Sequence, residues 1–148
     1  YGVRVRPSNI QGAGKGLFAT RDFAKKAWIC PYHGEVITRG CLNVRYPGDA
    51  TAPYAEEMDD DTVLDSACVR GIGSMANALF NPVTGKCSRK SDHNAVADFR
   101  NDLDQTWLRT TKPISKGSEI LHHYGSQYRL GEGHHSTARR NVPDTRPC

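Results

Sequence analysis

Residues 112–125 read K-P-I-S-K-G-S-E-I-L-H-H-Y-G, a proline- and glycine-punctuated turn running into a strand that ends in two histidines, a tyrosine and a glycine. Pro113 to Gly117 is turn chemistry, and Glu119 to Tyr124 reads as extended chain. Side chains alternate across a strand, so His122 and Tyr124 share one face while His123 points to the other. Two adjacent histidines on a regular strand therefore cannot chelate one metal ion. A general base or a pocket wall remains open for His122.

Working outward, turn residues recur every ten to fifteen positions and helical periodicity is hard to find. Short strand-like runs occur at Val3–Val5, Leu17–Ala19, Trp28–Cys30, Val36–Ile37, Thr62–Leu64, Ala95–Phe99 and Thr106–Thr110. This spacing predicts a mostly β domain. Thr51–Met58 is the best helical candidate, although it reads equally as extended chain. The stretch from Gly131 to Cys148 is polar, carries Pro143 and Pro147, and is expected to be irregular.

At 148 residues the chain is long enough for one cored domain. It starts at Tyr1 and reads as a segment cut from a longer protein. No apolar run approaches the roughly 20 residues of a membrane span. Twenty Lys and Arg stand against sixteen Asp and Glu, a net charge of +4 without a dense basic cluster, which gives no sign of nucleic-acid binding. The five cysteines, Cys30, Cys41, Cys68, Cys87 and Cys148, include no C-x-x-C pair. Free thiols in a reducing compartment are expected, and no metal site.

The glycine cluster G-A-G-K-G at 12–16 lacks the spacing of a phosphate-binding loop, and alone it is a turn. In order, however, four stretches form a pattern: GAGKGLFATRDFAKKAWI (12–29), YHGEVI (32–37), GIGSMAN (71–77) with HNA at 93–95, and KPISKGSEILHHYG. This order and these residues resemble the SET-domain protein lysine methyltransferases, over residues 10 to about 128. The resemblance implies several small β-sheets around a C-terminal pseudoknot, with a SET domain over 1–130, a variable insert at 41–70 and a tail at 131–148. It implies that Lys15, Gly16, Leu17, Asn77 and Ala78 bind S-adenosylmethionine. Tyr124 would stand at the methyl-transfer centre and touch the cofactor as well. Tyr32 would line the lysine channel, and His122 occupies a position that in the family sets how many methyl groups are added.

Two departures stand out. The family's N-H-S reads Asn77-Ala78-Leu79, and its P-N-A reads His93-Asn94-Ala95. No cysteine-rich zinc-binding extension follows Gly125, so closure of the channel is expected from Tyr128, Arg129 and Leu130.

The chemistry fits such residues. Methyl transfer to lysine needs a neutral amine, yet an amine of pKa about 10.4 is only about 0.1% neutral near pH 7.4. An apolar, aromatic channel favours the neutral form and aligns the stem. The acidic run Glu56–Asp61 reads first as a solvated turn, or else as a face for a basic peptide. On this reading the substrate is a basic protein, foremost a histone tail, and the compartment the nucleus. The rivals are a non-catalytic module that binds cofactor or peptide, and a methyltransferase acting on a non-histone protein.

Overall fold

The computed structural model describes residues 1–47, 52 and 54–125. Among these residues nine strands and one short α-helix appear in the order β1 (Val3–Pro7), β2 (Lys15–Ala19), β3 (Trp28–Pro31), β4 (Glu35–Thr38), α1 (Arg39–Arg45), β5 (Ala55–Glu57), β6 (Thr62–Asp65), β7 (Ala95–Arg100), β8 (Gln105–Thr110) and β9 (Glu119–Ile120), with single 3-10 turns at Ile72–Met75 and Lys90–Asp92. They form three antiparallel three-stranded sheets, ordered β1-β2-β9, β3-β8-β7 and β4-β6-β5. The expectation of a mostly β fold in several small sheets holds.

Each sheet is too small to bury a face alone, so the three share one core. Leu17 from β2, Ile29 and Cys30 from β3, Ala95 from β7, Leu108 from β8 and Ile120 from β9 meet there, all essentially inaccessible to solvent. Phe18 points the other way from Leu17 and is covered by the Arg6 guanidinium, 4.0 Å above its ring. Ile114 and Phe23 exchange backbone hydrogen bonds of 2.8 and 2.9 Å, which ties the turn at 113–117 to the entry of β3.

Of the two readings left open for 51–58 the extended one holds, and the helix lies elsewhere. The described residues of 51–58 form β5, whose Glu56 pairs with Leu64 of β6, and no helix. The helix lies instead at Arg39–Arg45, where the Thr38 hydroxyl accepts the Cys41 N–H at 3.2 Å as an N-cap. Helical periodicity could not reveal it, because α1 buries none of its residues. It is held by its end: Arg45 donates to Asp65 at 3.1 Å and to Glu35 at 2.8 Å, while the Tyr46 hydroxyl bonds the same Asp65 carboxylate. Cys30, Cys41 and Cys87 are free thiols, whereas Cys68 is disulfide-bonded, which corrects the expectation of free thiols at that position.

The last described segment decides the topology. β9 pairs with β2 for only two residues, Leu17 with Ile120 and Phe18 with Glu119. The chain then leaves the sheet and threads between two earlier segments, forming parallel bridges from Leu121 to Asn77 and from His122 to Ala95. The His122 N–H donates to Asn77 O at 2.8 Å, and Leu121 O accepts from Ala95 N–H at 3.0 Å and Asn94 N–H at 3.1 Å. Asn94 fastens the crossing with its side chain: Nδ2 donates to Glu119 O at 2.9 Å and Oδ1 accepts the Leu121 N–H at 2.8 Å. The expected strand over Glu119–Tyr124 is thus two residues of sheet followed by a threaded crossing.

Candidate active site

Threading gives His122 and His123 opposite fates, as alternation requires. His122 is fully buried, edge-on between Tyr32, with centroids 5.5 Å apart, and Tyr124, at 5.3 Å. Phe80 continues the cluster, 6.1 Å from the Tyr124 ring. His123 faces away, 5.1 Å from the His93 ring, with its Nδ1 accepting the Gly125 N–H at 3.2 Å.

The His122 tautomer follows from its one hydrogen bond. The Ala97 N–H donates to Nε2 at 3.1 Å, so Nε2 carries no proton and the ring hydrogen sits on Nδ1. Burial pushes the imidazole pKa down to about 3, so the ring is neutral at physiological pH. Among the described residues Nδ1 has no hydrogen-bond partner, a buried donor left unpaired on a ring that packs against Tyr32 and Tyr124. Such a group costs about 1–3 kcal/mol unless a ligand or water accepts from it.

Glu56, read in the sequence only as one end of an acidic run, is a neighbour of His122. Its Oε2 lies 3.8 Å from His122 Nε2, with the side chain only 24% exposed. A neutral imidazole makes this a contact of two acceptors and not an ion pair. Burial, with a smaller contribution from the Glu57 charge, raises the Glu56 pKa to about 7. Its neighbours in the acidic run behave as surface residues: Glu57 pairs with Arg39 at 3.1 Å, and Asp59 accepts from Asp61 N, Thr62 N and the Thr62 hydroxyl. No alternation in A-E-E-M marked Glu56 as inward, because its partner strand β6 is buried on both faces at Val63 and Leu64.

Of the residues expected to hold a cofactor, Lys15, Gly16 and Asn77 meet. Asn77 Nδ2 donates to Lys15 O at 3.0 Å and lies 3.3 Å from Glu119 Oε1. Gly16 is required beside them, since a Cβ there would run into Glu119 Oε1 and come within 3.1 Å of Asn77 Nδ2. Glu119 is buried and also accepts from the Ser8 hydroxyl at 2.6 Å and the Asn9 N–H at 2.8 Å, so it locks the glycine-rich segment to β9. Leu17 is in the core, Ala78 is buried and Lys15 is exposed. The Tyr124 hydroxyl donates to Ala76 O at 2.8 Å, one residue from Asn77. Lys15, Gly16 and Asn77 are thus in contact, Tyr124 is tied to the residue before Asn77, and the His122 ring packs against Tyr124.

The departures at Ala78 and His93 are related. His93 is buried, its Nδ1–H donates to Arg89 O at 3.0 Å, and its Nε2 accepts the Leu79 N–H at 2.9 Å. One imidazole thus pins the 77–79 segment to the 93–95 segment from the opposite side. Tyr128 to Leu130, expected to close the channel, and the tail 131–148 lie outside the described residues. Among the described residues no group of three or more His, Cys, Asp or Glu could hold a metal ion. Nor is any described helix long and apolar enough to cross a membrane.

A family model described as SET domain matches residues 14–125. The N-lysine methyltransferase KMT5A-A of Xenopus laevis is 26% identical over 130 residues, which cover 83% of this chain and 36% of that protein. KMT5A of Xenopus tropicalis is 26% identical over 125 residues, 80% of this chain and 35% of that protein. The histone-lysine N-methyltransferase trr of Drosophila melanogaster is 34% identical over 83 residues, 54% of this chain and 3% of that protein. The chain thus spans about a third of the length of the two KMT5A relatives.

Proposed function

The chain belongs to the SET domain family, and we propose that it transfers a methyl group from S-adenosylmethionine to a lysine side chain of a basic protein. The observation that carries this reading is the crossing itself, which sets the Tyr124 hydroxyl on Ala76 O beside Asn77 and packs His122 against Tyr124.

S-adenosylmethionine, when bound, supplies an electrophilic methyl group on a sulfonium. Asn77, with the backbone of Lys15, Gly16, Leu17 and Ala78, would hold that donor, and the exposed edge at Lys15 gives it access. Tyr32, His122 and Tyr124 would wall the lysine stem, exclude water and align the amine with the methyl. The Tyr124 hydroxyl, which donates its proton to Ala76 O, would turn the negative end of its dipole toward the positive charge spread in the transition state. His122, neutral with an Nδ1–H to offer, would hydrogen-bond the amine or its water and so limit how many methyl groups fit.

The favoured substrate is a histone tail and the favoured compartment the nucleus. Support comes from the names of the relatives and from the acidic turn Glu57–Asp61, which would steer a Lys- and Arg-rich peptide. Residues 1–130 would form the catalytic domain, with 41–70 as its variable insert and 131–148 as a tail.

The test is transfer of tritiated methyl to core histones. Tyr124→Phe should lower kcat at least about 100-fold with cofactor binding retained in calorimetry. Wild-type protein that binds cofactor but labels no histone and no other protein would leave a binding module. His122→Phe should shift the mono-, di- and trimethyl distribution in mass spectrometry; an unchanged distribution removes that role.

A further inference from the structure

Glu56 is a partly buried carboxylate 3.8 Å from Nε2 of the neutral His122 imidazole, a ring that packs edge-on against Tyr32 and Tyr124. Among the described residues no lysine or arginine pairs with it, and its nearest charged influence is another acid, Glu57. His122 Nε2 is already committed to the Ala97 N–H, so it cannot donate to the carboxylate. A carboxylate in this position is costly unless a cation arrives. Its residual exposure of 24% leaves an approach from solvent.

We propose that Glu56 receives the ammonium of the substrate lysine at the His122 end of the aromatic cluster and takes its proton. This rests on the lysine-methylation reading. The step balances: one N–H bond of the ammonium breaks and its electron pair stays on nitrogen. The proton forms an O–H bond on Glu56, leaving a neutral amine and a neutral carboxyl that later returns its proton to solvent.

Two physical arguments favour the step. A buried ion pair bears a desolvation cost that a neutral pair avoids, so the low-dielectric site drives the proton across. Burial also brings the two pKa values together, raising that of Glu56 to about 7 while depressing that of a lysine amine. The ionisable groups around Glu56 do not compete for the role. His122 is neutral, Asp65 is bonded to Arg45 and Tyr46, Asp98 beside Ala97 pairs with Arg109 at 2.8 Å, and Glu57 pairs with Arg39.

The experiment uses n-butylammonium as a lysine-side-chain probe and n-butanol as its uncharged counterpart, titrated against the full chain with the Tyr124 and His122 ring resonances as readout. Wild-type protein should prefer butylammonium at least about tenfold. Glu56→Gln should erase that preference and leave butanol binding unchanged, which also shows the pocket intact. In the histone assay Glu56→Gln should lower kcat/KM about 100-fold, the range of a lost general base. It should also abolish the acid limb near pH 7, and Glu56→Asp should regain part of the rate. A Glu56→Gln protein that keeps the butylammonium preference, or a wild type that binds neither probe, overturns the proposal. A Glu56-dependent preference without methyl transfer to any protein keeps the amine site and removes the methylation reading instead.

Discussion

His122 and Glu56 are two ionisable side chains 3.8 Å apart, and burial moves both toward their neutral forms. The consequences for stability run in opposite directions with pH. The folded state lowers the His122 pKa from 6.5 to about 3, so its contribution is fully present above pH 6.5 and is lost as pH falls toward 3. The folded state raises the Glu56 pKa from 4.5 to about 7, so its contribution is present below pH 4.5 and is lost as pH rises through 7. Between pH 7 and pH 4.5 His122→Phe should therefore lose less stability than wild type, by about 2 kcal/mol in urea unfolding. Glu56→Gln should gain stability over wild type at pH 8, by up to about 3 kcal/mol, and should gain little at pH 4.5. Equal pH slopes for wild type and both variants would contradict the burial on which the site is built.

At the scale of elements, two small devices set the geometry. Asn94 makes its two side-chain hydrogen bonds across the crossing, to Glu119 O and Leu121 N. Asn94→Ala leaves both backbone groups unpaired and should cost about 2–4 kcal/mol, read as a fall in the urea midpoint, with methyl transfer lost in parallel. Thr38 caps a helix that buries nothing, so Thr38→Ala should cost about 1 kcal/mol and leave cofactor affinity in calorimetry unchanged. Elements were legible in the sequence where turn residues bound a β-rich run, as at β2, β7 and β8. They were not legible where tertiary partners set them. α1 is held by Arg45 reaching Asp65 and Glu35, a contact that carries no periodicity, and β5 is made a strand by pairing with β6. Gly34 in the Y-H-G-E stretch shows the same dependence: a Cβ there would lie 2.8 Å from Asp65 O, so that glycine is needed because β6 passes close by.

Across the whole molecule, three sheets of three strands are joined by one threaded segment that every other part must precede. The amides of Ala95 and His122, both donors within the crossing, should exchange hydrogen only through global unfolding. Faster exchange there than at β7 and β8 would mean that the crossing opens on its own. The order of assembly follows: Asn77 and Asn94 must be in place before residues 121–122 find partners on both sides. Contacts of this sequence separation make folding slow.

The sequence by itself determined the short-strand composition, the four ordered stretches that mark the family, and the opposite faces of His122 and His123. Those are properties of residue type and of a two-residue period, and they need no partner to be read. Tertiary structure alone decided that Glu56 turns inward against His122, that His93 braces the segment carrying Ala78, and that Glu119 locks the glycine-rich stretch to the last strand. Each of these depends on which distant backbone passes nearby, and a local pattern holds no record of that.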